Sequence, residues 1–376
     1  MKSTQLDSRK LVGWMLILFG FVYALIVLQP LLAPIVVSIF LAFWLYPIAE
    51  KFVKKFRMPL PLAIIFSLTI IILPLFLLGY LFWAQMSIVA EDFSLMTEKL
   101  EMSLSGVFKS FGDILPFLDQ GREFQIEDRI DQAIGEPLPY IAQGLSASVN
   151  FMANALLVMI YIFFFIYYGD AFKKFFFQQF PTRTHQRLGA ILKGIQLVAK
   201  RYFFGVGTVV IIIGFVNSFG LLLLGVPFAF FWGFLAGLLT IVPYIGTAIG
   251  GLLPVLYIFS ISDDIYKPIM VIVMFGIVQT IEGNFITPRV VGGSVKINSL
   301  FAIIGLLIGG MIWGMIGLIL ALPVLASMRV IFYHVDALKP YSLLLSSNFR
   351  KKANNFETEL NQDKYRIWRY FYEEKG

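Results

Sequence analysis

The sequence predicts an all-α polytopic membrane protein, and three observations predict it. The chain of 376 residues is 59% apolar and only 14% charged, whereas soluble domains carry about 25% charged residues. Its mean hydropathy is +0.82. Nearly uncharged runs that are long enough to cross a bilayer recur along the whole chain. We therefore expect about six full spans plus two re-entrant helical hairpins, which makes eight apolar segments, and a small extramembrane helical domain.

The composition also excludes several classes of chemistry. The chain has no cysteine, so thiol catalysis, disulfides and iron–sulfur sites are excluded. Its two histidines, His185 and His334, are too few for a histidine-rich metal site. The sequence contains no phosphate-binding loop and no His-Glu-x-x-His motif. We therefore expect a protein that is not an enzyme and that uses no cofactor and no metal.

Residues 1–84 are predicted to form transmembrane helices 1–3. The first two make a hairpin that turns at Gln29-Pro30, and a basic loop follows the second. The third helix starts at Pro59, because proline suits the first turn of a helix.

Residues 85–150 differ in composition from the spans around them. They hold eleven acidic and four basic side chains, a net charge of −7. Apolar residues recur every three or four positions, which is typical of amphipathic helices. We predict an extracytoplasmic helical domain here, which packs against itself and against copies from neighbouring subunits.

Residues 151–202 are predicted to hold transmembrane helix 4 and a basic amphipathic helix. From 169 to 202 the chain carries seven basic side chains against Asp170 alone. Leu188, Val198 and Tyr202 belong to one apolar stripe in this stretch. We expect this helix to lie on the anionic cytoplasmic leaflet, and a protein partner for it is the alternative.

Residues 203–328 are predicted to form the transmembrane core. After the fifth span, the apolar segments 228–260 and 269–298 are each interrupted, the first at Pro243 and the second near Gly283. In hydrocarbon, interrupted backbone is tolerated only where it packs in protein or lines a wet cavity. We therefore predict two re-entrant hairpins, and unbroken spans are the alternative.

Residues 300–327 are predicted to be the last full span, and 329–376 a cytoplasmic tail. The span is rich in glycine at four-residue spacing, which indicates close packing of helices; a glycine-lined pore is the alternative. The tail mixes basic and aromatic side chains, and we expect it to rest on the membrane surface rather than to bind nucleic acid.

The charges predict the orientation. The basic N-terminal segment, loops and tail belong on the cytoplasmic side and the acidic domain outside, so both termini are expected in the cytoplasm.

The interrupted region holds the candidate site. Glu282 and Arg289 are ionisable groups at membrane depth, which marks a functional site unless they merely form an ion pair that fixes the hairpin. We expect Asn217, a lone polar residue on the fifth span, to bond to a neighbouring helix. The candidate substrate-binding residues are Pro243, Tyr244, Gly246, Thr247, Gln279, Glu282, Asn284, Thr287, Pro288 and Arg289.

Three motifs carry a resemblance to a known family. These are Pro243-Tyr244-Ile245-Gly246, the stretch Glu282 to Gly292, and the glycines from Gly309 to Gly317 followed by Leu322-Pro323-Val324. In this order they resemble the autoinducer-2 exporter-like family of bacterial membrane permeases, over nearly the whole chain. The resemblance implies a multi-pass protein of the bacterial inner membrane, a homo-oligomer and specifically a pentamer. It also implies that two helical hairpins hold the substrate and move as an elevator.

Three functions fit these observations. The favoured one is a secondary transporter that exports a small polar organic solute similar to autoinducer-2. The second is a sodium/proton antiporter centred on Glu282, so the expected partners are the bilayer, a solute and a coupling cation, either proton or sodium. The third is a scaffold that transports nothing and anchors an oligomeric outer domain.

Overall fold

The structure is a computed structural model. It describes residues 5–6, 8–70, 137–242, 245–262, 264–290, 297–347, 349 and 372–373, together with several positions between 72 and 84. This part of the chain is nearly all helical, as the sequence predicts. Most of the predicted domain at 85–150 and most of the tail lie outside the described residues; from Pro137 onward the chain is already a long helix.

The helices are numbered here in chain order. They are α1 (Ser8–Val27), α2 (Gln29–Phe56), α3 (Leu60–Ile70), α4 (Pro137–Tyr167), α5 (Gly169–Gln178), α6 (His185–Leu223), α7 (Ala229–Leu239), α8 (Ile245–Ile261), α9 (Tyr266–Ile281), α10 (Thr287–Val290), α11 (Ser299–His334) and α12 (Lys339–Leu344). A π-helical turn, Glu282–Ile286, joins α9 to α10. Two-residue strands, β1 (Gln5–Leu6) and β2 (Tyr372–Glu373), pair antiparallel.

Four helical segments are long and apolar enough to cross a membrane. They are Gln29–Phe56, Thr182–Leu223, Tyr266–Ile286 and Ser299–His334, and α4 with α5 adds a fifth if that bent pair is one span. The described part of the chain thus has the apolar helices of an integral membrane protein. The expected number of six spans and two re-entrant hairpins stays a prediction.

The chain divides into two compact units. One contains residues 1–68, 157–209 and 285–376, and the other contains residues 69–156 and 210–284. In the first unit, α6 packs between α2 and α11. Ala199 of α6, fully buried, contacts Phe40 and Leu320, and the hydroxyl of Tyr202 donates a hydrogen bond of 2.8 Å to the carbonyl of Ile319.

The α11 helix folds back on itself, so the prediction of one unbroken span at 300–327 is wrong. Its backbone leaves the helical conformation at Trp313 and at Gly314, where φ is +58°. A Cβ placed on Gly305 would collide with the side chain of Leu325. In a straight helix these residues would lie about 30 Å apart, at about 1.5 Å per residue, so α11 is a helical hairpin with its tip at Trp313.

The glycines of α11 explain how its two arms approach each other. Gly309 and Gly317 face each other so closely that a Cβ on either would collide with the carbonyl of the other. At the tip, the indole N–H of Trp313 donates to the carbonyl of Leu25 at 2.9 Å. The predicted role of these glycines in tight helix packing is confirmed, but between two arms of one hairpin.

The predicted amphipathic helix at 188–202 is part of α6 and does not lie on the leaflet. Val198 and Tyr202 are buried, and they pack against Ala326 of the α11 hairpin. The prediction is wrong because the apolar stripe is already covered by protein.

The end of α11 is fixed to the start of α6 by charges. Asp336 accepts hydrogen bonds from Lys339 at 2.8 Å and from Arg187 at 2.9 Å. These hydrogen bonds, the one from Lys339 first, lower the pKa of the Asp336 carboxyl. The contribution of these hydrogen bonds to the free energy of unfolding is fully present above the unfolded pKa of about 4, and it is lost as pH falls through the lowered pKa. Because these side chains are exposed, the contribution is below about 1 kcal/mol.

Replacing Gly317 by valine should lower the melting temperature of the purified protein by several degrees. The new side chain has no space beside Gly309, and overpacking of this kind costs about 1–3 kcal/mol. Tryptophan fluorescence during heating in detergent measures this. The matched control is Gly207→Val in α6, where a Cβ would meet nothing within 4 Å. Equal melting temperatures for both variants would contradict the folded-back hairpin.

Candidate functional site

The second unit is built on the helical hairpin formed by α7 and α8. The chain leaves α6 through a glycine-dependent turn: Gly225 has φ +68°, and the amide of Val226 donates to the carbonyl of Leu221 at 3.0 Å. The hairpin closes with Trp232 of α7 against Tyr257 of α8, whose ring centroids lie 5.2 Å apart. The helix–break–helix predicted at 228–260 is present, with α7 packed against α8; its re-entrant course stays a prediction.

The break between α7 and α8 satisfies its own backbone groups. The amides of Ile241 and Val242 donate to the carbonyls of Leu238 and Leu239, at 3.2 and 3.0 Å. The hydroxyl of Thr240 donates to the carbonyl of Gly237 at 2.6 Å. The side-chain oxygen of Thr240 is therefore left with lone pairs that can accept a further hydrogen bond.

Small residues bring α6 and α7 into backbone contact. A Cβ on Gly233 would collide with Ser218, and a Cβ on Gly237 would lie 2.7 Å from the carbonyl of Val210. This packing holds Asn217, on the same stretch of α6, in the interior: it is 2% exposed. A buried carboxamide in such a position is fixed in place by the backbones around it.

The predicted break near Gly283 is a π-helical turn. Helical backbone continues from α9 through Glu282–Ile286 into α10, and the Asn284 side chain donates to the carbonyl of Thr280 at 2.9 Å. One turn earlier, Gln279 donates from Nε2 to Oε2 of Glu282 at 2.9 Å. Turns of this kind are frequent at functional sites. Residues 291–296 of the second predicted hairpin lie outside the described residues.

A small, partly open cavity with room for about one water molecule lies among these elements. Its polar lining is Asn217 from α6, Thr240 at the end of α7, Gln279 from α9 and Glu282 from the π-helical turn that follows α9. The apolar lining is Ile213, Ala236, Phe275 and Val278. All eight residues belong to the second unit. A few convergent polar groups on an apolar wall are the usual construction of a small-molecule site.

The side chain of Asn217 lines this cavity, and its oxygen is buried. The Oδ1 atom has no hydrogen-bond partner among the residues that the structure describes. A buried polar atom without a partner costs about 1–3 kcal/mol. The Thr240 oxygen and the Glu282 carboxylate give the wall of this cavity hydrogen-bond acceptors. Such a wall suits a ligand that carries hydroxyl or other donor groups.

The structure brings together some of the predicted site residues. Gln279 and Glu282 line the cavity. Gly246 is buried, and a Cβ there would collide with the carbonyl of Leu239, so it serves the close turn of the hairpin. Pro243 and Tyr244 lie outside the described residues, and so does the side chain of Thr247.

The remaining predicted residues lie on the π-helical turn and α10. Asn284 is exposed and caps Thr280, as described above. The guanidinium of Arg289 lies 5.8 Å from the ring centroid of Phe285, a cation–π contact. Thr287 is half-buried, and the side chain of Pro288 is outside the described residues. The predicted ion pair of Glu282 with Arg289 stays a prediction.

Two polar cavity residues were absent from the sequence-based site, Asn217 and Thr240. Asn217 was expected to bond to a neighbouring helix, and this is wrong for its side-chain oxygen. Thr240 directly precedes the predicted break, which was the available signal for it. Only the packing of α6 on α7 shows that Asn217 faces the same cavity as Glu282.

Comparison with known proteins gives a consistent picture. The family model described as AI-2E family transporter matches residues 14–336. The AI-2 transport protein TqsA of Escherichia coli (strain K12) is 23% identical over 84% of this chain and 89% of its own length. YrrI of Bacillus subtilis (strain 168), a protein named for transport, is 25% identical over 82% of this chain and 88% of its own length.

Asn217→Leu should leave the melting temperature unchanged or raise it, because leucine has nearly the same shape and removes the unpaired buried oxygen. Asn217→Ala is the matched control at the same position; it leaves a void and should lower the melting temperature by several degrees. Thermal unfolding in detergent measures both. A melting temperature of Asn217→Leu as low as that of Asn217→Ala would show that Asn217 makes a structural hydrogen bond.

Proposed function

The chain belongs to the AI-2E family of transporters, and on that premise we propose that it exports a small polar organic solute of the AI-2 type. The protein is an integral membrane transporter and not an enzyme. The observation that carries the choice of solute is the oxygen-lined cavity of Asn217, Thr240, Gln279 and Glu282. A hydroxylated solute would supply the donors that these oxygens accept.

An elevator-type mechanism suits this location of the site. Every residue that lines the cavity belongs to one compact unit, together with the α7–α8 hairpin. A solute bound there would keep its contacts if the hairpin, α9 and the part of α6 from 210 onward move together. We propose that this hairpin is one moving element, and that the folded-back α11 hairpin, rather than 269–298, is the second hairpin of the transporter.

The orientation proposed for the chain has both termini in the cytoplasm of a bacterial cell, with the protein in the inner membrane. The strand pairing of Gln5–Leu6 with Tyr372–Glu373 is consistent with termini on one side. Arg187 and Lys339 lie at the same end of the first unit, around Asp336, and basic groups favour the cytoplasmic side. The proposed assembly is a homo-oligomer, specifically a pentamer.

Sodium/proton antiport is the second candidate function, and the position of Glu282 favours it. Glu282 lines the cavity, and carboxylate oxygens suit hard cations as well as hydroxyl donors. Gln279, which donates to Glu282, would orient the carboxylate toward either ligand.

AI-2 efflux from proteoliposomes should fall about 10- to 100-fold in Asn217→Leu, because the solute loses an acceptor and leaves a donor unpaired in the cavity. Thr208→Val, also on α6 but outside the cavity lining, is the matched control and should retain wild-type flux. Wild-type flux in a folded Asn217→Leu protein would overturn the assigned site, and failure of the wild type to move AI-2 would overturn the assigned solute.

Glu282→Gln separates the two functions in the same vesicles. It should abolish any sodium/proton exchange, since a carboxamide cannot exchange a proton, while solute efflux is only partly reduced. Exchange that survives this substitution would exclude the antiporter. Thr280→Val on the exposed side of α9 serves as the control.

A further inference from the structure

The short helix α5 has a position that membrane crossing does not explain. It follows α4 at an angle of 61°. With 31 residues, α4 is about 46 Å long at about 1.5 Å per residue, which already exceeds the hydrocarbon thickness of about 30 Å. The ten residues of α5 also carry Asp170, Lys173 and Lys174, which hydrocarbon would disfavour. The bend therefore directs α5 away from the path of a span.

The two sides of α5 differ sharply in chemistry. Phe172, Phe175 and Phe176 lie on one side of the helix, and their side chains are 46%, 57% and 55% exposed. Lys174 points to the opposite side and Lys173 to the flank, and both are exposed. None of the ten residues is buried. Phe172 packs partly on Phe165 of α4 and on Tyr168, which lies between α4 and α5, and the outer parts of the three rings form an exposed apolar surface.

An aromatic contact holds the helix against the start of α6. The ring of Phe177 lies 5.1 Å from the ring of His185, at the start of α6, and it reaches Gly189 one turn later. The contact fixes the rotation of α5 about its axis. The rings of Phe172, Phe175 and Phe176 are thereby kept outward.

The charges nearby are predominantly positive. Asp170 lies within electrostatic reach of Tyr46 near the end of α2, so α5 starts at the level of the last turns of α2. The basic side chains in those turns and the loop after them are Lys51, Lys54, Lys55 and Arg57. An anionic surface would be attracted to this end of the unit.

We propose that α5 lies in the plane of the membrane interface and binds anionic phospholipid headgroups. The phenyl rings enter the boundary between headgroups and acyl chains, while Lys173 and Lys174 contact the headgroup phosphates. Interfacial helices combine an apolar face, flanking cations and modest length in this way. This binding surface is independent of the transport cavity and would hold whichever solute is moved.

Single-cysteine labelling tests the proposal cleanly, because the chain has no native cysteine. Nitroxide is attached to Phe176→Cys and, separately, to Lys174→Cys in the full-length protein. The protein is placed in vesicles of phosphatidylcholine with or without phosphatidylglycerol. Electron paramagnetic resonance then compares collisions with oxygen, which concentrates in lipid, and with a water-soluble nickel chelate.

In vesicles with phosphatidylglycerol, the label at 176 should meet oxygen more than nickel, and the label at 174 should show the reverse. The label at 176 should lie less deep in the membrane when phosphatidylglycerol is removed. It should also lie less deep when Lys173→Gln and Lys174→Gln are added to the Phe176→Cys protein, because each lysine near an anionic surface strengthens binding about fivefold. A label at 176 that meets neither reagent, as when a second copy covers this face, would overturn the proposal. Preferential contact of the label at 176 with nickel would also overturn it. So would a label depth that changes neither when phosphatidylglycerol is removed nor when the two lysines are replaced.

Discussion

The need to satisfy every backbone polar group without help from water governs this structure. Where the helices stop or bend, the groups that lose a helical partner find another within the chain. At the end of α7, Thr240 bonds to the carbonyl of Gly237 and the next two amides close short turns. At the end of α9, Asn284 caps the carbonyl of Thr280. At the tip of α11, the carbonyl of Trp313 accepts a hydrogen bond of 3.5 Å from Gln29. Three buried side-chain atoms of the described residues lack a hydrogen-bond partner: Asn217 Oδ1, Trp232 Nε1 and Arg329 Nε. Of these residues, Asn217 alone lines the cavity.

Small residues make the site possible, because they allow backbones to replace side chains as packing partners. Gly233 and Gly237 set α7 directly on α6, and Gly250 sets α8 on Ala236. Dispersion between close backbones is the main attraction available where lipid is as apolar as the protein. The close approach of α6 and α7 also confines Asn217 to the cavity wall. Packing and binding chemistry therefore depend on the same glycines.

The sequence predicted the class of fold from its composition and the break between α7 and α8 from Pro243. It also predicted Gln279 and Glu282 as site residues, because an isolated carboxylate in an apolar segment is visible in the sequence. It did not predict the reversal in α11, because an apolar run of this length equally suits one span and Gly314 stands among other glycines. The apolar stripe that includes Val198 identified a buried side of the helix but not its partner, which is the hairpin rather than lipid. Asn217 could be recognised as a cavity residue only after the helix packing was known. Contacts between distant segments were the missing information throughout.

The interruption after α7 exists, on this account, so that water and solute can reach oxygen atoms inside the helical core. Thr240→Cys, which introduces the only cysteine of the chain, tests this with a membrane-impermeant maleimide applied to proteoliposomes that contain the folded protein. We predict labelling of the Thr240→Cys protein that AI-2 slows, while Val271→Cys, at a position that is fully buried, stays unlabelled. A Thr240→Cys protein that reacts only after denaturation would contradict the account, because its cavity would then be dry and closed.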